Sequence, residues 1–145
     1  HGELAPQPGL ARIGQLVEAV ARAGVPVEFA PCDADVPEAV GLSAYRIVQE
    51  ALANVVRHAP GARTQVSLSV TESDPQDGAR LTVLVVNGPP PQPPDGPLEV
   101  GGTGHGLVGM RERVRLADGT LDAGPLPDGG FRVAARIPLT ERHFT

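Results

Sequence analysis

The sequence predicts an α+β two-layer sandwich: a mixed, mostly antiparallel sheet with helices on one face and a Pro/Gly-rich lid. Three observations carry this. Helical and extended patterns follow one another as α-β-α-β-β-lid-α-β-β, which is not the strict alternation of a doubly wound α/β domain. The segment Glu72 to Ala79 (ESDPQDGA) is too short for a crossover helix, so the strands flanking it form an antiparallel hairpin. Two short C-terminal strands turned by PLPDGG add a second pair of the same kind.

Residues 1–8 are rich in Pro and Gly and read as a linker, with residues 9–140 as the domain and 141–145 as a frayed tail. Leu10, Ile13, Leu16, Val17 and Val20 recur at helical spacing, and Gly24 stops that helix. Val25 to Ala30 alternates as a strand, with Pro26 placing it at a sheet edge. Pro37 suits the first position of the next helix, which Ala59-Pro60-Gly61 ends. Thr64 to Thr71 is a half-buried strand, with Val66, Leu68 and Val70 on one face and Thr64, Ser67 and Ser69 on the other. Leu81 to Val86 is more continuously apolar and therefore central. Gly88 to Gly104 holds six prolines and five glycines in 17 residues, which leaves no regular element. A loop of that length in a compact domain points to a functional lid. Leu107, Met110, Val114 and Leu116 then mark a helix that Gly119 ends, followed by strands at Thr120 to Ala123 and Gly130 to Pro138.

With 145 residues the chain is long enough for one domain with its own core. A net charge of −5 and an aromatic content of 3% argue against a nucleic-acid partner, which would need basic patches and stacking platforms. Cys32 is the only cysteine, which rules out an internal disulfide and a cysteine metal site. No run of 18 apolar residues exists to span a bilayer.

Two stretches carry chemistry. In Ser43 to Ala59 (SAYRIVQEALANVVRHA), 100° per residue places Arg46, Glu50, Asn54, Arg57 and His58 on one arc. Ala44, Val48, Ala51, Leu52, Val55, Val56 and Ala59 form the opposing core face, and Ile47 intrudes on the polar arc. Asn is a mediocre helix former, so Asn54 in mid-helix asks for a reason. A carboxylate can polarise a hydroxyl, an amide oxygen suits a hard cation, and two basic groups suit phosphate oxygens. The plain reading is a solvated face with Glu/Arg pairs. The second stretch is the glycine tract Gly102, Gly104, Gly106 and Gly109, where a loop enters a helix. Glycines let backbone N–H groups approach an anion, and a helix N-terminus favours negative charge. The order Gly104-His-Gly106-Leu-Val-Gly109 satisfies G-x-G-x-x-G, yet it is no dinucleotide fingerprint. It follows a Pro-rich loop and not a parallel strand.

Taken together, these stretches resemble the ATP-binding catalytic domain of sensor histidine kinases, in the GHKL superfamily with its Bergerat-type fold. YRIVQEALANVVRHA looks like the N box, E-x-x-x-N-x-x-K/R-H. GTGHGLVGMRERV looks like the second Gly box in the form found in a nitrate-sensor-like actinobacterial subfamily. DGTLDAGPLPDGGFRVAARIPL matches the family's ending. The resemblance implies that Glu50 orients or activates the attacking group near the γ-phosphate and that Asn54 ligates Mg²⁺. Arg57 and His58 would contact phosphates. Gly102, Thr103, Gly104, His105, Gly106 and Leu107 would cap the phosphate tail of ATP, and Gly109 would permit close helix packing. It further implies transfer of the γ-phosphoryl of ATP to a histidine on an upstream dimerisation domain, for relay to a response regulator. The expected setting is the cytosolic domain of a bacterial sensor, with membrane anchoring of the parent protein left open. The full-length protein would be a homodimer and the isolated domain a monomer with little turnover.

One departure concerns the first Gly box, D-x-G-x-G, whose Asp reads the adenine amino group. This chain has Val85-Val86-Asn87-Gly88-Pro89. Depending on the alignment, either Val86 or Asn87 replaces that Asp. Asn can still accept a hydrogen bond, and Val cannot. The altered box keeps a nucleotide-impaired pseudokinase scaffold open as an alternative, and the shared fold keeps an anti-sigma-factor serine kinase open as another.

Overall fold

The computed structural model describes residues 9–32, 34–74, 78–91 and 104–139. The linker at residues 1–8, the tail at 141–145 and lid residues 92–103, with Gly102 and Thr103 among them, lie outside the described residues. The elements are α1 (Gly9–Arg22), β1 (Val27–Ala30), α2 (Glu38–His58), β2 (Thr64–Asp74), β3 (Gly78–Asn87), α3 (Gly104–Leu116), β4 (Thr120–Pro125) and β5 (Phe131–Pro138). The strands form one sheet in the order β1-β2-β3-β5-β4. Only β1 and β2 are parallel, with α2 as the crossover between them. The other pairs are antiparallel, so the expected mixed sheet is present. β1 is an edge strand, where Pro26 costs no ladder hydrogen bond, and its carbonyl still accepts from the Thr64 N–H at 2.9 Å.

Period-two alternation gives the sheet its two faces. Val66, Val85 and Val133 lie in register across β2, β3 and β5, as do Leu68, Val83 and Ala135. These side chains are buried against Ile13 and Val17 of α1, Ile47, Val48 and Leu52 of α2, and Met110 and Val114 of α3. Each such side chain contributes about 1.5–3 kcal/mol on burial. On the opposite parity Gln65, Ser69, Arg132 and Arg136 are exposed, Leu84 and Val86 are half-buried and Ala134 is buried. Arg12 of α1 stacks over the Tyr45 ring of α2, 4.7 Å from its centroid, and ties the two helices at their polar margin.

Several sequence expectations are corrected. Ile47 is fully buried, whereas Val56, expected in the core, is 48% exposed. The buried face of α2 runs through Val40, Ala44, Ile47, Val48, Ala51 and Val55, so the core stripe is rotated from the expected one. Leu116 is exposed at the end of α3. Thr64 shares parity with Val66 and Leu68 and is buried on the helix face, not on the polar one. Pro37 is the N-cap of α2 and not its first helical residue. Gly24 stops α1 with φ 110°, as expected. After α3 the left-handed residue is Asp118 (φ 62°), and Gly119 serves another need: a Cβ there would lie 2.3 Å from the Arg136 carbonyl oxygen.

Candidate functional site

Glu50, Asn54 and Arg57 lie on one stripe of α2, at the margin between its buried face and solvent. Their spacing of four and three residues stacks them along the helix. The structure brings them into direct contact. One nitrogen of Arg57, Nη2, donates to Asn54 Oδ1 at 2.6 Å and to Glu50 Oε2 at 3.3 Å. Asn54 and Glu50 are half-buried, and Arg57 is exposed. His58 is also exposed, one residue further at the C-terminus of the helix. Arg57 and His58 carry positive charge or its potential where the helix dipole is negative. Arg46, expected on the same arc, is exposed and makes no contact with this cluster among the described residues.

The chain leaves α2 through a tight turn. The Ala59 N–H donates to the Val55 carbonyl and the Ala62 N–H to the Ala59 carbonyl, and Gly61 adopts φ 80°. This turn meets the exit of β3: the Gly88 N–H donates to the Arg63 carbonyl at 2.9 Å. Pro91 sits against Gly61, where a Cβ would approach its Cγ to 3.1 Å. The end of the polar stripe and the root of the Pro/Gly-rich loop are therefore fastened together at one end of the sheet.

Asn87 is the last residue of β3 and pairs with Thr64 and Phe131. It has the parity of Leu81, Val83 and Val85, so it belongs to the helix face and is 7% exposed. Its Nδ2 donates to the Gly88 carbonyl at 2.9 Å. Val86 has the opposite parity. It lines a cavity of about 410 Å³ with Pro26, Glu28, Arg63, Gln65 and Gly88, away from the α2 stripe. Of the two alignments, strand geometry therefore favours Asn87 as the residue offered toward the helices. Sequence reasoning missed its neighbours. Thr64 is a buried polar partner in register, which residue parity alone could have shown. Gly130 is required because a Cβ there would fall 2.1 Å from the Asn87 carbonyl oxygen.

α3 begins at Gly104, so Gly104, His105 and Gly106 form its first turn, whose N–H groups have no intrahelical acceptor. Leu107 packs partly against the core. Gly109 does not mediate close packing: it is exposed, and a Cβ there would meet nothing within 4 Å. α3 packs against α2, which sets the glycine tract and the polar stripe on neighbouring elements.

Among the described residues, no group of three or more His, Cys, Asp or Glu side chains could cage a metal ion. Asn54 Oδ1 and the Glu50 carboxylate are hard oxygen donors one turn apart. That set fits Mg²⁺, which binds through one or two protein oxygens together with phosphates and water.

Residues 39–141 match the family of histidine kinase-, DNA gyrase B- and HSP90-like ATPases. The chain is 32% identical over 104 residues to the sensor histidine kinase YxjM of Bacillus subtilis, a match covering 71% of this chain and 22% of that protein. It is 33% identical over 98 residues to the oxygen sensor histidine kinase NreB of Staphylococcus carnosus, covering 67% of this chain and 26% of the relative. The matched region thus spans about a quarter of these relatives. In fold, the chain resembles the histidine kinase domain of the blue-light activated histidine kinase of Erythrobacter litoralis. That likeness has a TM-score of 0.69 at 21% identity and covers 96% of this chain and 66% of that one. The chain belongs to the histidine kinase-, gyrase- and HSP90-like ATPase family, whose shared property is ATP binding.

Proposed function

We propose that this is the catalytic, ATP-binding domain of a two-component sensor histidine kinase. It would transfer the γ-phosphoryl group to a histidine on an upstream dimerisation domain, and a response regulator would take it from there. The observation that carries this is the cluster of Glu50, Asn54 and Arg57 on one stripe of α2, inside the region matched to the ATPase family. Phosphoryl transfer asks a protein for positioning and charge neutralisation more than for covalent chemistry. Glu50 orients and accepts a proton from the attacking group, and Asn54 Oδ1 takes a place in the Mg²⁺ shell. Arg57 and His58 offer positive charge to phosphate oxygens. The first-turn N–H groups of α3 at Gly104, His105 and Gly106, with Leu107 beside them, receive the phosphate tail; Gly102 and Thr103 lead into them. Asn87 and Gly88 border the base. Mg²⁺ held by Asn54 Oδ1 would supply charge neutralisation for the phosphates beside Glu50. The sensor-kinase names of the relatives favour this reading over a serine kinase. No described helix is long and apolar enough to cross a membrane. A cytoplasmic location, a monomeric isolated domain and a homodimeric parent protein belong to the same proposal. Calorimetric titration with Mg²⁺ and a non-hydrolysable ATP analogue tests it. Saturable binding is expected, stronger than that of inorganic triphosphate. No heat at millimolar nucleotide would leave a scaffold role in its place.

A further inference from the structure

We propose that Arg57 is an internal stand-in for the divalent cation: it is hydrogen-bonded to Asn54 Oδ1 and Glu50, and it gives up Asn54 when a metal–nucleotide complex binds. The inference rests on the nucleotide reading above and adds an order of events to it. A single nitrogen, Arg57 Nη2, serves both acceptors, at 2.6 Å and 3.3 Å. Those two acceptors are the hard oxygens that fit a cation. The guanidinium thus places one positive charge where a loaded site would hold a divalent one. Asn54 Oδ1 has two lone pairs, so what opposes double use is charge and not acceptor count. A cation at ordinary oxygen distance and a guanidinium on the same oxygen would repel across a few ångströms. Arg57 must therefore turn away as the site fills, and it stands in the last turn of α2, where phosphate oxygens offer it a bidentate alternative. An exposed ion pair alone would carry little weight. Here the contact is short, and it joins two turns of helix through the residue between them. The arrangement pairs the Glu50 carboxylate with Arg57 and makes nucleotide and metal compete with an internal ligand.

The test is nucleotide binding with EDTA and with Mg²⁺, for the wild type, Asn54→Ala, Arg57→Ala and the double variant. If Asn54 is the tether that loading must break, Asn54→Ala leaves Arg57 held only by its longer, 3.3 Å contact to Glu50 and so more available to phosphate. That variant then binds metal-free nucleotide about three- to tenfold more tightly than the wild type, the worth of one such hydrogen bond. The same variant loses the Mg²⁺-dependent gain. Adding Arg57→Ala abolishes the metal-free improvement. Asn54 acting only as a metal ligand leaves metal-free affinity unchanged, and a merely structural Asn54 weakens binding in both conditions. Either result overturns the inference while leaving the nucleotide reading intact. Absence of saturable binding in every variant, with or without metal, overturns both.

Discussion

At Asn87 the amide is committed on one side. Nδ2 donates to the Gly88 carbonyl at 2.9 Å, so Oδ1 is the atom that can meet an incoming amino group. An acceptor in that place suits adenine, whose exocyclic nitrogen donates, and opposes guanine, whose corresponding oxygen accepts. Asn87→Leu should weaken binding of an ATP analogue by about 1–3 kcal/mol, ten- to a hundredfold, with a much smaller effect on GTP. Asn87→Asp should preserve the preference for adenine. Parallel titrations with the two nucleotides decide it, since equal losses for both would indicate damage to the fold and not to base recognition. The sequence left this residue ambiguous for a physical reason. Only Thr82 interrupts the apolar run from Leu81 to Val86, so alternation is a weak guide to which side of the strand faces the helices. The register with β2 and β5 supplies that information.

At the scale of elements, glycines that look alike in the sequence do different things. Gly109 lies inside α3 with open space where a Cβ would be, so Gly109→Ala should stabilise the domain by about 0.5–1 kcal/mol through the lower entropy cost of helix formation. Gly119 faces the Arg136 carbonyl oxygen, a backbone atom that cannot swing aside. Gly119→Ala should destabilise by about 1–3 kcal/mol. Urea denaturation of the two variants gives opposite shifts in midpoint. Equal shifts would mean that the α3–β4 turn adapts freely. Element order, the hairpin, the edge position of β1 and the central place of β3 were all legible from spacing and breakers. The faces of α2 were less so. Apolar residues such as Leu42, Ala53 and Val56 also lie outside its buried face, so a polar arc can be drawn in more than one rotation. Packing against α1 and the sheet selects the one that buries Ile47 and exposes Val56.

Across the whole molecule, the proposed site is assembled from parts distant in sequence: the stripe of α2, the first turn of α3 and the end of β3. Each motif was readable on its own, because each is a short local pattern with its own chemistry. Their convergence was not, because it depends on α2 crossing over between β1 and β2 and on the turn at Gly61 meeting the exit of β3 at Arg63 and Pro91. A ligand that touches all three parts must stabilise the fold as a unit, since none of the contacts survives when the sheet and helices separate. Binding to the folded state alone adds about 2.7 kcal/mol at a nucleotide concentration one hundred times its Kd. For a domain of this size that corresponds to a rise in Tm of about 5–10 °C. Thermal scans with Mg²⁺ and a non-hydrolysable ATP analogue should show that rise as one cooperative transition, with Tm increasing with the logarithm of ligand concentration. A ligand held by α2 alone would raise Tm as well, because the domain unfolds as one unit, so the scan reports binding and a local probe must report which elements share it. Hydrogen exchange followed at Asn87 and in α3, beside α2, separates the two cases. Added protection at all three sites supports a shared pocket, and protection confined to α2 removes β3 and α3 from it.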